Sequence, residues 1–84
     1  MEIKIWIEEW FKINTNIESS IIEKNVSQDY FSLGWIDSLK FIQLISDIEN
    51  NFKIVFLNDE FQKKSFTTVE GLTKIVEEKV NEKL

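Results

Sequence analysis

Only Gly34-Trp35-Ile36-Asp37-Ser38-Leu39 carries residue types in an order that suggests chemistry. It sets one serine at the start of a strongly apolar segment, just after a glycine turn and an aspartate. A serine in the first turn of a helix is exposed and orientable, and it lies beside the positive end of the helix dipole. Such a hydroxyl suits the attachment of an anionic group such as a phosphodiester. It does not suit hydrolysis, because no neighbouring residue can take the hydroxyl proton.

The rest of the composition narrows the chemistry further. The chain has 84 residues, enough for one small domain (1–84) and one core. It has no Cys and no His, which removes disulfides, thiolate nucleophiles, the commonest metal ligand and the usual general base. No catalytic residue and no metal site are therefore assigned, and the chain is not read as an enzyme. Net charge is −5, from 15 acidic residues against 10 basic ones that are all Lys. An acidic surface without Arg argues against nucleic acid as a partner. No apolar run has the length of a membrane span, and the start Met1-Glu2-Ile3-Lys4 lacks signal-peptide order, so a cytoplasmic monomer is the expectation.

The elements that must position the serine read as helices. Ile3, Trp6, Ile7, Trp10 and Phe11 form one stripe of a helix over 2–13, with the Trp pair either in that core stripe or at a binding surface. Asn14-Thr15-Asn16 breaks the pattern. Residues 14–37 then read as a long connection lying across the core. Its anchors are Ile17, Ile21, Ile22, Val26, Tyr30, Phe31 and Leu33, with a short helical turn near 19–24.

A second long helix runs from Ser38 to about Asn51. Asp37 is its N-cap, Phe41, Leu44, Ile45, Ile48 and Phe52 face inward, and Asn50-Asn51 supplies its stop. Leu39 and Ile42 fall beside that stripe and need no burial. Ile54-Val55-Phe56-Leu57 reads as extended, and Asn58-Asp59-Glu60 as the cap of one or two turns through Lys64. Thr67-Thr68-Val69-Glu70 has the spacing of a capping box. It opens a last helix with Val69, Leu72, Ile75, Val76 and Val80 inward and a charged tail that frays. Gly71 in its first turn costs up to about 1 kcal/mol unless another segment approaches closely there. The fold class is all-α: an antiparallel bundle of three main helices plus one or two short ones.

The order Asp29-Tyr30-Phe31-Ser32-Leu33-Gly34-Trp35-Ile36-Asp37-Ser38-Leu39 resembles the acyl carrier protein superfamily. The pattern shared is an acidic residue and an aromatic, then Leu-Gly, then Asp-Ser-Leu opening the second helix. The likeness covers nearly the whole chain, including the first-helix stripe, the long first loop, Phe52 and the Thr-Val-Glu entry to the last helix. The resemblance implies covalent 4′-phosphopantetheine on Ser38, whose thiol carries an acyl or aminoacyl group as a thioester. It implies a phosphopantetheinyl transferase, an adenylating or acyl-loading enzyme and acyl-accepting enzymes as partners. Asp37 is then a helix cap, alone or also helping to hold the metal in the transferase complex.

Two departures bear on the pathway. The Gly-x-x-Asp-Ser spacing is one residue longer than in typical fatty-acid carriers and is more similar to D-alanyl carriers and to free-standing carriers of specialised pathways. The outward positions of the second helix, Lys40, Gln43, Ser46, Asp47 and Asn50, with Glu49 the other acid, are nearly neutral where fatty-acid carriers are acidic. Asp37, Leu39, Lys40 and Ile42 are the expected partner contacts. Trp35 is either a core anchor or part of that contact surface. The resulting expectation is a free-standing acyl or peptidyl carrier of a secondary-metabolite or cell-wall pathway. The alternatives are an unmodified helical protein–protein interaction module with Trp6, Trp10 and Trp35 at its surface and, within the carrier class, a fatty-acid synthesis carrier.

Overall fold

The computed structural model describes residues 3–82, and within them the apolar spacings become helices that share one core. In chain order these are α1 (Ile3–Thr15), α2 (Ser19–Lys24), α3 (Ser38–Phe52), a first 3-10 helix (Asn58–Gln62), a second (Lys64–Thr67) and α4 (Val69–Glu82). The all-α expectation holds. The nearest thing to a strand among the described residues is a lone antiparallel bridge between Asp29 and Thr68.

Cross-helix pairs give the register of α1 and α3. Trp6 meets Phe52 edge to face at 5.3 Å, the Trp10 indole N–H donates to Asp47 Oδ2 at 2.8 Å, and the Gln43 amide donates to Asn14 Oδ1 at 3.1 Å. As one number rises the other falls, so the two helices run antiparallel. α1 also packs against α2 and α4, and α4 packs against the second 3-10 helix. The inward stripes close on each other: Ile7, Phe11, Leu44, Ile48, Leu72 and Val76 are fully buried. Tyr30 joins them from the long loop and Phe66 from the second 3-10 helix.

Helix ends depart from the expected positions. Asn14 and Thr15 stay helical by bonding back to the Trp10 and Phe11 carbonyls, and the turn comes at Asn16, at φ 60°. Asn50 and Asn51 do not stop α3. It continues through Phe52, whose ring needs the helical direction to reach Trp6, and Lys53 takes the left-handed residue of the C-cap at φ 58°. The Thr67–Glu70 capping box does not form. Thr68 is the cap: its hydroxyl accepts the Gly71 N–H at 2.9 Å, while the Glu70 N–H donates to the Val26 carbonyl. The charged end of α4 holds helix through Glu82, and the tail beyond lies outside the described residues.

The connections repay the same scrutiny. Residues 54–57 are extended without a strand partner, with Ile54 and Phe56 buried and Val55 and Leu57 exposed. The two turns that follow are 3-10 helices, tied to α4 by a Lys79–Glu60 ion pair of 2.9 Å. Gly71 has its explanation here. A Cβ at that position would sit 2.0 Å from the Ser65 carbonyl oxygen, so the absent side chain is what lets the second 3-10 helix lie against α4. In the long loop, Ile22 and Tyr30 are buried anchors. Ile21, Phe31 and Leu33 are exposed, and Ile36, just before the cap, is buried.

Candidate functional site

The segment leading to the serine is fixed by its own side chains before α3 begins. Asp29 forms an Asx turn: its Oδ1 accepts the N–H groups of Phe31 at 2.8 Å and Ser32 at 3.2 Å, and its carbonyl accepts Leu33 N–H at 3.0 Å. Gly34 follows at φ 75°, a left-handed conformation that a β-carbon disfavours, and donates to the Phe31 carbonyl. Trp35 N–H then returns to the Tyr30 carbonyl at 3.0 Å. The Trp35 ring lies half-buried, edge-on to Phe11 at 5.8 Å, so this tryptophan anchors the loop to the core.

Tyr30 ties that loop to the second 3-10 helix. Its N–H donates to the Thr67 carbonyl at 2.9 Å, and its hydroxyl donates to the Phe66 carbonyl at 2.6 Å. Burial, with the Asp29 charge nearby, pushes the phenol well above its ordinary range. Tyr30 is therefore a permanent donor and never a base at ordinary pH.

Asp37 then caps α3 as the sequence requires. Its backbone is extended, its Oδ1 accepts the Lys40 N–H at 2.9 Å, and its carbonyl accepts the Phe41 N–H at 2.9 Å. Ser38 is the first helical residue. Its side chain is exposed, and its hydroxyl makes no hydrogen bond with another described residue. The site thus combines a rigid approach, a capped helix start and an unengaged hydroxyl. This suits covalent attachment of a phosphate-linked group. Leading N–H groups of a helix have no carbonyl partner within it and favour negative charge nearby.

Around the serine, Leu39 is 78% and Ile42 62% exposed, while Lys40 is half-buried. The acids of α3 are turned away. Asp47, expected outward, accepts the Trp10 indole N–H from α1, and Glu49 accepts the Phe56 N–H at 2.9 Å. Trp10 is buried, and Trp6 and Trp35 are half-buried against the core, so the three tryptophans do not make one surface.

The sequence reading missed Asp29 and Thr67 as site-building residues. An aspartate two residues before a free N–H is an Asx-turn signal, but its contact with Thr67 across 38 positions has no local signature. No group of three or more Asp and Glu side chains among the described residues is placed to hold a metal ion. No described helix is long and apolar enough to cross a membrane.

A family model described as the phosphopantetheine attachment site matches residues 6–76, a span that includes every residue of this site. No curated protein and no solved structure matches the chain.

Proposed function

The chain belongs to the phosphopantetheine attachment family, a carrier class that holds 4′-phosphopantetheine covalently, and from that membership we propose that Ser38 is the residue that takes the arm. One observation carries the assignment. Among the described residues, Ser38 alone couples an exposed, unengaged hydroxyl to the capped start of a long helix, within the matched span and inside a Gly-x-x-Asp-Ser-Leu setting. When bound, the arm supplies the terminal thiol that this Cys-free chain lacks.

Every other contribution is made by the chain's own residues. Asp37 fixes where α3 begins, and Trp35 and the buried Ile36 hold the approach so that the Ser38 hydroxyl faces outward. Among the described residues no side chain hydrogen-bonds the Ser38 hydroxyl, and Asp37 is engaged through Oδ1 as the helix cap, so loading and acyl chemistry fall to partner enzymes: a phosphopantetheinyl transferase and acyl-handling enzymes. Leu39, Ile42 and Lys40 form the surface those enzymes meet next to the serine.

Within the class, we read the protein as an acyl or aminoacyl carrier of a specialised pathway, not of fatty-acid synthesis. The Gly-x-x-Asp-Ser spacing supports this, as does the small number of acids on α3, Asp47 and Glu49, both half-buried and bonded to donors of other segments. The test is intact mass after incubation with a broad-specificity phosphopantetheinyl transferase and coenzyme A. The natural sequence should gain one arm, and Ser38→Ala none. No gain in the natural sequence, or a gain in the variant, overturns the assignment.

A further inference from the structure

We propose that Asp29 is a positioning residue for the loading of Ser38, an inference that rests on the serine assignment above. One half-buried carboxylate gathers two parts of the molecule. Oδ1 holds the N–H groups of Phe31 and Ser32, the start of the turn that leads to the serine. Oδ2 accepts the Thr67 hydroxyl at 3.1 Å, at the end of the second 3-10 helix. The backbone completes the knot through the Asp29–Thr68 bridge and the Tyr30 N–H bond to the Thr67 carbonyl.

Asp29 does not touch Ser38 and acts through the loop. From the knot the chain passes Gly34 in its left-handed conformation, Trp35 bonded back to Tyr30, the buried Ile36 and then the Asp37 cap. Phe31 packs its ring on Tyr30 at 5.6 Å and on Phe41 at 5.2 Å, but Ser32, Leu33 and Gly34 are exposed, so side-chain packing holds the turn at its start and not along its length. Its shape depends on hydrogen bonds, and the Asp29 side chain supplies two of them. Hydrogen bonds to a charged acceptor are the stronger kind, and removing the carboxylate leaves only the backbone bridge and the Tyr30 bonds to join the two parts.

The consequence is a population effect. If the turn samples other shapes, the transferase meets a competent serine only part of the time. Apparent affinity then falls by that fraction, while turnover of the bound complex is unchanged. Asp29→Ala should raise the KM for the carrier about ten-fold in the transferase reaction and leave kcat within about two-fold. Asp29→Asn keeps an oxygen for the Phe31 and Ser32 N–H groups and should restore KM to within about three-fold.

The assays run at a temperature where each variant is folded by circular dichroism, so loss of folded protein cannot mimic the KM change. Thr67→Val, which removes the hydroxyl shared between Asp29 Oδ2 and the Lys64 carbonyl, should raise KM about three-fold and serves if Asp29→Ala does not fold. A folded Asp29→Ala or Thr67→Val with the natural KM overturns the inference, as does a loss confined to kcat. Ser38→Ala run alongside separates the two claims. If it still loads, the serine assignment has failed. If it is dead while the Asp29 and Thr67 variants load normally, only the positioning role has failed.

Discussion

Replacing Gly71 by alanine sets two physical effects against each other, and the structure decides the sign. Helix propensity alone favours Ala over Gly inside a helix by about 1 kcal/mol. The new Cβ, however, would lie 2.0 Å from the Ser65 carbonyl oxygen and 2.6 Å from the Ser65 carbonyl carbon and Cβ. The first two are backbone atoms, so no change of rotamer relieves the contact. The second 3-10 helix must move off α4, against the bonds that Tyr30 makes to the Phe66 and Thr67 carbonyls. Overpacking of this kind costs about 1–3 kcal/mol, and a backbone clash belongs at the upper end. Subtracting the propensity gain leaves a net loss of about 2 kcal/mol. In a domain of this size that lowers the thermal midpoint by about 8–16 °C, measured by circular dichroism at 222 nm. A midpoint equal to or above that of the natural sequence would refute the reasoning, because it would mean that α4 and the 3-10 helix are not in this close contact.

Two further outcomes follow from the core and from the carboxylates. Ile48 is fully buried on α3, so Ile48→Ala should cost about 2–5 kcal/mol in urea unfolding, and an unchanged midpoint would contradict the α3 register. Burial first, then the hydrogen bond and charge of Glu23, raise the Glu8 carboxyl above 4.5, with Lys4 opposing in part and Glu9 adding to the rise. For Glu60, burial alone would raise the carboxyl, but the Leu57 N–H, Lys79 and Lys63 outweigh it and hold the group below 4.5. The folded state therefore takes up the Glu8 proton before the unfolded chain does, and stability from this group increases as pH falls towards 4.5. Glu60 acts in the opposite sense, its contribution being present above 4.5 and lost as pH falls through its lowered folded value. Urea titrations across pH 7 to 3 should show Glu8→Gln removing the rise and Glu60→Gln shallowing the acid fall, and identical profiles in all three proteins would exclude both assignments.

What the sequence made legible was whatever repeats at helical spacing or acts within a few residues. The stripes of α1, α3 and α4 needed only periodicity, and Asp37 before an apolar helix needed only local capping chemistry. Helix ends were less readable because tertiary contacts moved them. Phe52 pulls α3 past Asn50 and Asn51 to reach Trp6, and Thr68 displaces Thr67 as the cap of α4 because Thr67 is engaged with Asp29 and Lys64. The loop anchors were read by hydrophobicity alone, which cannot tell Tyr30, buried with its hydroxyl bonded, from its exposed neighbour Phe31. Ser38 differs from both. Its proposed role rests on a hydroxyl with no partner among the described residues, so it asks nothing of distant contacts.

The carboxylates of α3 show how a helix surface can differ from its composition in a way that bears on partner choice. Counting charges along the helix gives two acids, but each is drawn inward by a donor from another element. The antiparallel α1 brings the Trp10 indole beside Asp47, and the left-handed turn at Lys53 brings the Phe56 N–H beside Glu49. A carboxylate in such a bond is held in one rotamer, with one oxygen occupied by the protein's own donor and less of the group open to a partner. Near Ser38 the exposed face holds Leu39, Ile42 and Gln43, with the half-buried Lys40 and the exposed capping carboxylate of Asp37 as its charges. Long-range steering depends on exposed charge and fades over about 8–10 Å at ordinary salt. Burial of apolar area does not fade in this way. On the proposal that Ser38 is the loaded residue, recognition beside it would rest on covering Leu39 and Ile42, and a partner that relies on a basic patch would find only two half-buried acids on α3 itself.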